Sequence, residues 1–149
     1  MEFSEYKNTF DRKPCDDAIE WLFSQPDLKT AWKECKRGDW MWWSLMYSGT
    51  DLPQSLCVGF ANDCAERAKD YANKSKSVYA ASYAASAADS AADAAYAAAY
   101  AAYAAASYAA SAADSAADAA AADAASADSA AAEKELQANW IRAHVECPF

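Results

Sequence analysis

The groups able to do chemistry in this chain are few and poorly assembled for catalysis. The one histidine, His144, has no Ser/His/Asp order, GxGxxG, GxxxxGK[ST] or HExxH pattern to work with. The five cysteines, Cys15, Cys35, Cys57, Cys64 and Cys147, are an odd number without CxxC pairing, which suits reduced thiols used as small core residues. A zinc site from Cys57, Cys64, His144 and Cys147 is the competing use of those groups, and it lacks the paired spacing zinc sites show. What remains is acidic and aromatic: Asp89, Asp93, Asp114 and Asp118 around Tyr96, Tyr100 and Tyr103. Carboxylates four apart on a smooth helix lack the turn that gathers about six to eight oxygens around calcium, so neither a metal nor a cofactor is expected, and no enzymatic activity. The set reads instead as a binding surface, the alternative being that the tyrosines fill a seam between helices and the aspartates only keep an Ala helix soluble. Asp would steer a basic protein partner, and Tyr would contribute large contact area with little entropy to lose.

These residues sit on one stretch, Ala80 to Ala132, built almost wholly from Ala, Ser, Asp and Tyr, with no Gly, Pro or basic residue. Ala loses no side-chain entropy in a helix, so the tract is predicted helical before any packing is considered. Ala80 to Ala95 recurs letter for letter as Ala105 to Ala120, a period of twenty-five residues. On an unbroken helix, steps of four and three place Asp89, Asp93, Tyr96, Tyr100, Tyr103, Ser107, Ala110, Asp114 and Asp118 on one face. One continuous helix would run roughly 80 Å, and a fold-back near Ala104 to Ser107 would give two arms of roughly 37 Å. Four capping-box patterns, Ser86-x-x-Asp89, Ser90-x-x-Asp93, Ser111-x-x-Asp114 and Ser115-x-x-Asp118, favour the hairpin, and the absence of Gly and Pro opposes a sharp turn. An isolated long helix would leave much apolar surface bare, which either the hairpin or a homodimer would cover.

At 149 residues the chain is expected to be one all-α domain, a helical bundle with a Trp-rich half at 1–76 and the Ala-rich half at 77–149. Its net charge of −9 is unevenly spread: six Asp and no base fall in residues 77–132. Such a face repels nucleic acid and anionic lipid, so neither is an expected partner. No apolar run is long enough to span a bilayer and the MEFSEYKNTF start has no signal-peptide core, which points to the cytoplasm.

In the first half, helices are predicted from Pro14 to about Ser24, from Leu28 to Lys36, from Trp40 to Tyr47 and from Pro53 to about Asn73. Gly38 is expected as a left-handed C-cap and Asp39 as the N-cap of the next helix. A last amphipathic segment, Glu133 to Ala143, should turn Leu136, Trp140 and Ile141 inward, for five to seven helices in all. Trp40 is expected in the core, so that its removal would be severely destabilising.

The segment Ala31-Trp32-Lys33-Glu34-Cys35-Lys36-Arg37-Gly38-Asp39-Trp40-Met41-Trp42-Trp43 resembles the AWxxCxRGDWMxW block of a family of small all-α proteins. These are identified as immunity proteins of bacterial polymorphic-toxin systems, and occur among phage proteins as well. The matching positions include Trp32, Cys35, Gly38, Asp39, Trp40 and Trp43, and an Ala- and Tyr-rich helical region follows the block in the family as it does here. The resemblance implies a non-enzymatic inhibitor, of immunity or phage anti-defence type, that neutralises a bacterial protein in the host cell. Read from the residues alone, the block is a Gly-Asp helix junction filled in by Trp side chains. Other readings of the whole chain are a sponge holding a small nucleotide signal between helices, a DNA mimic built on Asp rows, and an ice-binding Ala-rich helix. The last lacks a Thr ladder.

Overall fold

The computed structural model describes residues 3–10, 12–75, 77–120 and 126–149; the side chains of Lys7, 95–97, 119, 120 and 126–128 fall outside this description. Seven α-helices and no strand are found among the described residues: α1 Phe3–Lys7, α2 Asp16–Phe23, α3 Leu28–Glu34, α4 Gly38–Tyr47, α5 Gln54–Ser75, α6 Val78–Ala120 and α7 Ser126–His144. The chain is all-α, with its helices packed on one another.

Local chemistry sets several of the boundaries. Asp27 accepts a hydrogen bond from Thr30 N at 2.7 Å and so caps α3; that backbone bond holds its carboxyl below the usual range. Ser77 caps α6 in the same way, accepting from Ala80 N at 3.2 Å. Gly49 ends α4 with a φ of 74°, the left-handed conformation that glycine enters without strain. Gly38 does not. It is the first residue of α4, and the C-cap of α3 is Cys35 in extended conformation, which corrects the capping role expected of Gly38.

Although helical along its whole run, α6 is not straight. The rings of Tyr83 and Tyr108 stack with centroids 6.5 Å apart, whereas twenty-five residues of straight helix would separate them by about 37 Å. The run therefore doubles back midway between the two tyrosines, giving a first arm from Val78 and a second arm to Ala120. The fold-back is the favoured arrangement of the sequence reading, but in a different place. Ala104 to Ser107 lies inside the second arm, where Ala105 and Ala106 are buried. The four capping-box patterns lie within the arms and do not mark the reversal; their aspartates are exposed and their serines half-buried.

With α5 and α7, the two arms make an up-down-up-down bundle. One end of α7 lies beside the upper part of α5, where Glu133 meets Arg67 and Tyr71; at the other end Trp140 packs on Phe60 with ring centroids 5.2 Å apart. The two helices are thus antiparallel. Across the bundle, α4 inserts Trp42, fully buried, stacked on Phe60 at 4.3 Å, its indole N–H donating to Ala99 O at 3.1 Å.

The inner face of α7 is polar where an apolar one was expected. Glu133 and Gln137 are buried with Ala138 and Ile141, while Leu136 is exposed. Arg67 donates to both oxygens of Glu133, through Nε at 2.9 and 3.1 Å and Nη2 at 3.0 Å, and also pairs with Asp63 on its own helix. Tyr71 donates to Glu133 at 2.7 Å, and Gln137 Nε2 donates to Glu133 and to Ala106 O, each at 2.9 Å. A lone carboxylate here would be costly; this one is satisfied from three sides. Burial, then the Glu133 carboxylate, pushes the Tyr71 hydroxyl far up, so it stays a donor. Cys35, Cys57 and Cys64 are buried free thiols as expected, and Cys15 and Cys147 are exposed.

Candidate functional site

The predicted binding residues divide between the two arms. Asp89, Asp93, Asp114 and Asp118 are all exposed. Because α6 doubles back, the first pair lies near the reversal and the second near the start of the first arm, roughly 24 Å away along the axis. They flank a two-arm surface and do not form the single stripe of an unbroken helix. Tyr100 is 58% exposed, and its hydroxyl meets that of Tyr47 at 3.2 Å. Tyr103 is half-buried against the Trp-rich half, and burial followed by the Asp39 charge raises its pKa. The Tyr96 side chain lies outside the described residues. Of the expected triplet, Tyr100 is thus at the surface and Tyr103 partly inside.

Further exposed apolar side chains lie on the two arms. Val78 and Tyr79 are 80% and 75% exposed, next to the stacked pair of Tyr83 and Tyr108, themselves accessible. The duplication contains the signal that would have found the pair, since Tyr83 and Tyr108 are equivalent positions of its two copies. Placing the reversal midway between the copies would have brought them together.

The two copies also show what the face lacks. In the second arm Ala106, Ala110 and Ala113 are buried, α7 lying along it with Gln137 bound to Ala106 O. The equivalent Ala81, Ala85 and Ala88 of the first arm are exposed. Identical letters thus line an interior seam in one copy and an open face in the other.

The Trp-rich block forms a second assembly at the opposite side of the second arm. Arg37 grips Asp39 with Nε at 2.9 Å and Nη2 at 2.7 Å, and Lys134 of α7 approaches the same carboxylate at 3.4 Å. Burial alone would raise the Asp39 pKa, but the hydrogen bond from Arg37 and the charges of Lys134 and Arg37 outweigh it and hold the group low. Asp39 is accordingly an ion-pair partner, correcting its expected role as an N-cap. The Arg37 guanidinium lies 4.2 Å from the ring centre of Trp40. Trp40 is only half-buried, against the core position expected for it; Trp42 holds that position.

Cys35 is buried, its thiol pushed up by that burial, and its carbonyl accepts from Arg142 at 2.6 Å. Trp32 is buried too, while Trp43 lies against Phe10 and Tyr47. Gly38 is where α4 touches α7. A Cβ there would overlap Gln137 Cβ and lie 2.7 Å from Ala138 N and 2.8 Å from Lys134 O. Gly38→Ala should then push the helices apart and cost about 1–3 kcal/mol, the range of overpacked sites, read as a lower urea midpoint at unchanged slope. An unaltered midpoint would show that α7 yields there freely.

Between this block and α2 lies a cavity of about 320 Å³. Its walls include Phe10, Trp21, Trp40, Trp43 and Tyr103, with Arg37 and Asp39 at one side. Among the described residues no group of three or more His, Cys, Asp or Glu is placed to hold a metal ion, and no helix is long and apolar enough to cross a membrane. His144 stacks on Trp140 with centroids 3.9 Å apart, and its Nδ1 lies 2.8 Å from Trp140 O. In comparisons with known proteins, no family model, no curated protein and no solved structure matches this chain.

Proposed function

We propose that the protein is a non-enzymatic inhibitor of immunity type that binds and neutralises a bacterial protein in the cytoplasm through the outer face of the α6 hairpin. The reading rests on one observation, the stacked and accessible Tyr83 and Tyr108, with Tyr79 one turn before Tyr83 and Val78 beside it also exposed, between two pairs of exposed aspartates. Large apolar side chains grouped on an open surface mark a place where another surface is to be covered, and tyrosine is favoured there because it orders cheaply. The aspartates at either end would attract a basic target and fix its orientation. The likeness of the Trp32–Trp43 segment to the immunity block supports the same conclusion. Without the target, this face would pair with its counterpart on a second copy, so light scattering at micromolar concentration is expected to report twice the 16.0 kDa of one chain.

The test begins with a partner captured from bacterial lysate and identified by mass spectrometry. Changing Asp89, Asp93, Asp114 and Asp118 together to Lys should slow its association strongly at low salt and leave helicity intact, since exposed charges contribute only about 0–1 kcal/mol each to folding. Tyr83→Ala with Tyr108→Ala should instead raise the dissociation rate. Target binding unaffected by both sets would place the interface elsewhere and sink the proposal.

A further inference from the structure

The cavity beside the Arg37–Asp39 pair is neither a seam between packed helices nor part of the hairpin face. On one side stands α2, a helix with apolar residues Ala18, Ile19 and Leu22 on the cavity wall and yet no buried residue of its own. An amphipathic helix is stable against something that takes up its apolar side; Trp21 packs on Trp40, while Ala18, Ile19 and Leu22 border an open volume of about 320 Å³. This lies at the lower end of the roughly 300–1,000 Å³ typical of small-molecule sites. On the other side the wall is aromatic, with Trp40 and Trp43 of α4 and Tyr103 of the second arm.

The polar part of the wall is specific. Arg37 is held rigidly: Nε and Nη2 are taken by Asp39, and the guanidinium is stacked on Trp40. Its Nη1 makes no hydrogen bond among the described residues, nor does the Tyr103 hydroxyl. Asp39, the one carboxylate side chain on the wall, is compensated from two sides, by Arg37 within the lining and by Lys134 from outside it. A preoriented guanidinium edge with free donors beside flat rings matches an anion attached to a flat ring.

We infer that the cavity is a binding site for a small planar aromatic acid, its ring lying among Trp40, Trp43 and Tyr103 and its carboxylate on Arg37 Nη1. The site shares no residue with Val78, Tyr79, Tyr83, Tyr108 or the four aspartates, so it stands or falls separately from the proposed protein-binding face.

Calorimetric titration of the full chain with 2-naphthoate, 2-naphthamide and cyclohexanecarboxylate tests it. Saturable binding of 2-naphthoate at one site per chain is expected, at least tenfold tighter than the neutral amide and the non-planar acid. Arg37→Gln should weaken 2-naphthoate at least tenfold and leave the amide unchanged. Ala18→Phe, which fills the cavity from α2, should abolish binding and hold or raise the thermal midpoint; it keeps the test decisive should the Arg37 variant fail to fold. No saturable binding of 2-naphthoate would overturn the inference. So would equal affinity for either control compound, or full binding in the Ala18→Phe protein.

Discussion

Replacing Trp42 by Ala is expected to lower stability by about 3–5 kcal/mol, the range for truncating a buried large aromatic. Three losses coincide at that position. The indole is wholly buried, its stack on Phe60 disappears, and Ala99 O loses a donor. The neighbouring Trp40→Ala, by contrast, removes a half-buried ring whose partners are Arg37 and Trp21, and should cost clearly less. Urea unfolding of the two variants side by side checks the ordering. Equal losses would mean that the cavity wall bears on the core as heavily as the Trp42–Phe60 stack does.

Arg67→Ala should be as severe, again about 3–5 kcal/mol, for an electrostatic reason. It strands the Glu133 carboxylate, which has no exposure, with only Tyr71 and Gln137 for partners, and an unpaired buried charge is far more costly than a missing ion pair. The diagnostic is the double variant Arg67→Met with Glu133→Leu. Removing both charges together should recover most of the loss, because packed apolar groups replace a pair whose desolvation offsets much of its attraction. If the double variant is no more stable than Arg67→Ala, the penalty comes from lost packing and the charge argument fails.

Helix content and the Trp-rich half were readable because each depends on local signals. Asp27, Pro14 and Gly49 punctuate the chain, and alanine favours helix in any surroundings. The path of the Ala tract was readable only in outline, since residues as alike as these give no local mark of where the chain reverses. The polar interior of α7 was hidden for a different reason. Glu133 and Gln137 look like the solvent side of an amphipathic helix, and only a partner sixty-six positions earlier, Arg67, turns that side inward. At the candidate sites, exposure of the aspartates could be foreseen from charge alone. Which tyrosines are accessible depended on the reversal, and the cavity depended on how α2 rests against α4, which no spacing encodes.

The duplicated segment bears on how the fold recognises itself. Alanine methyls are interchangeable, so Ala81, Ala85 and Ala88 offer α7 the same berth as Ala106, Ala110 and Ala113, and dispersion cannot rank one above the other. The address is written outside the two copies: in Arg67, which draws Glu133 to one side of α5, in Gly38, which admits α7 closely against α4, and in the contacts of Arg142 with Cys35 O and of Trp140 with Phe60. It follows that the Arg67→Met, Glu133→Leu chain, even if stable, should lose its single berth and show doubled amide resonances for Ala138 and Trp140. One sharp set of signals would mean that Gly38, Arg142 and the Trp140–Phe60 contact carry the address without the ion pair.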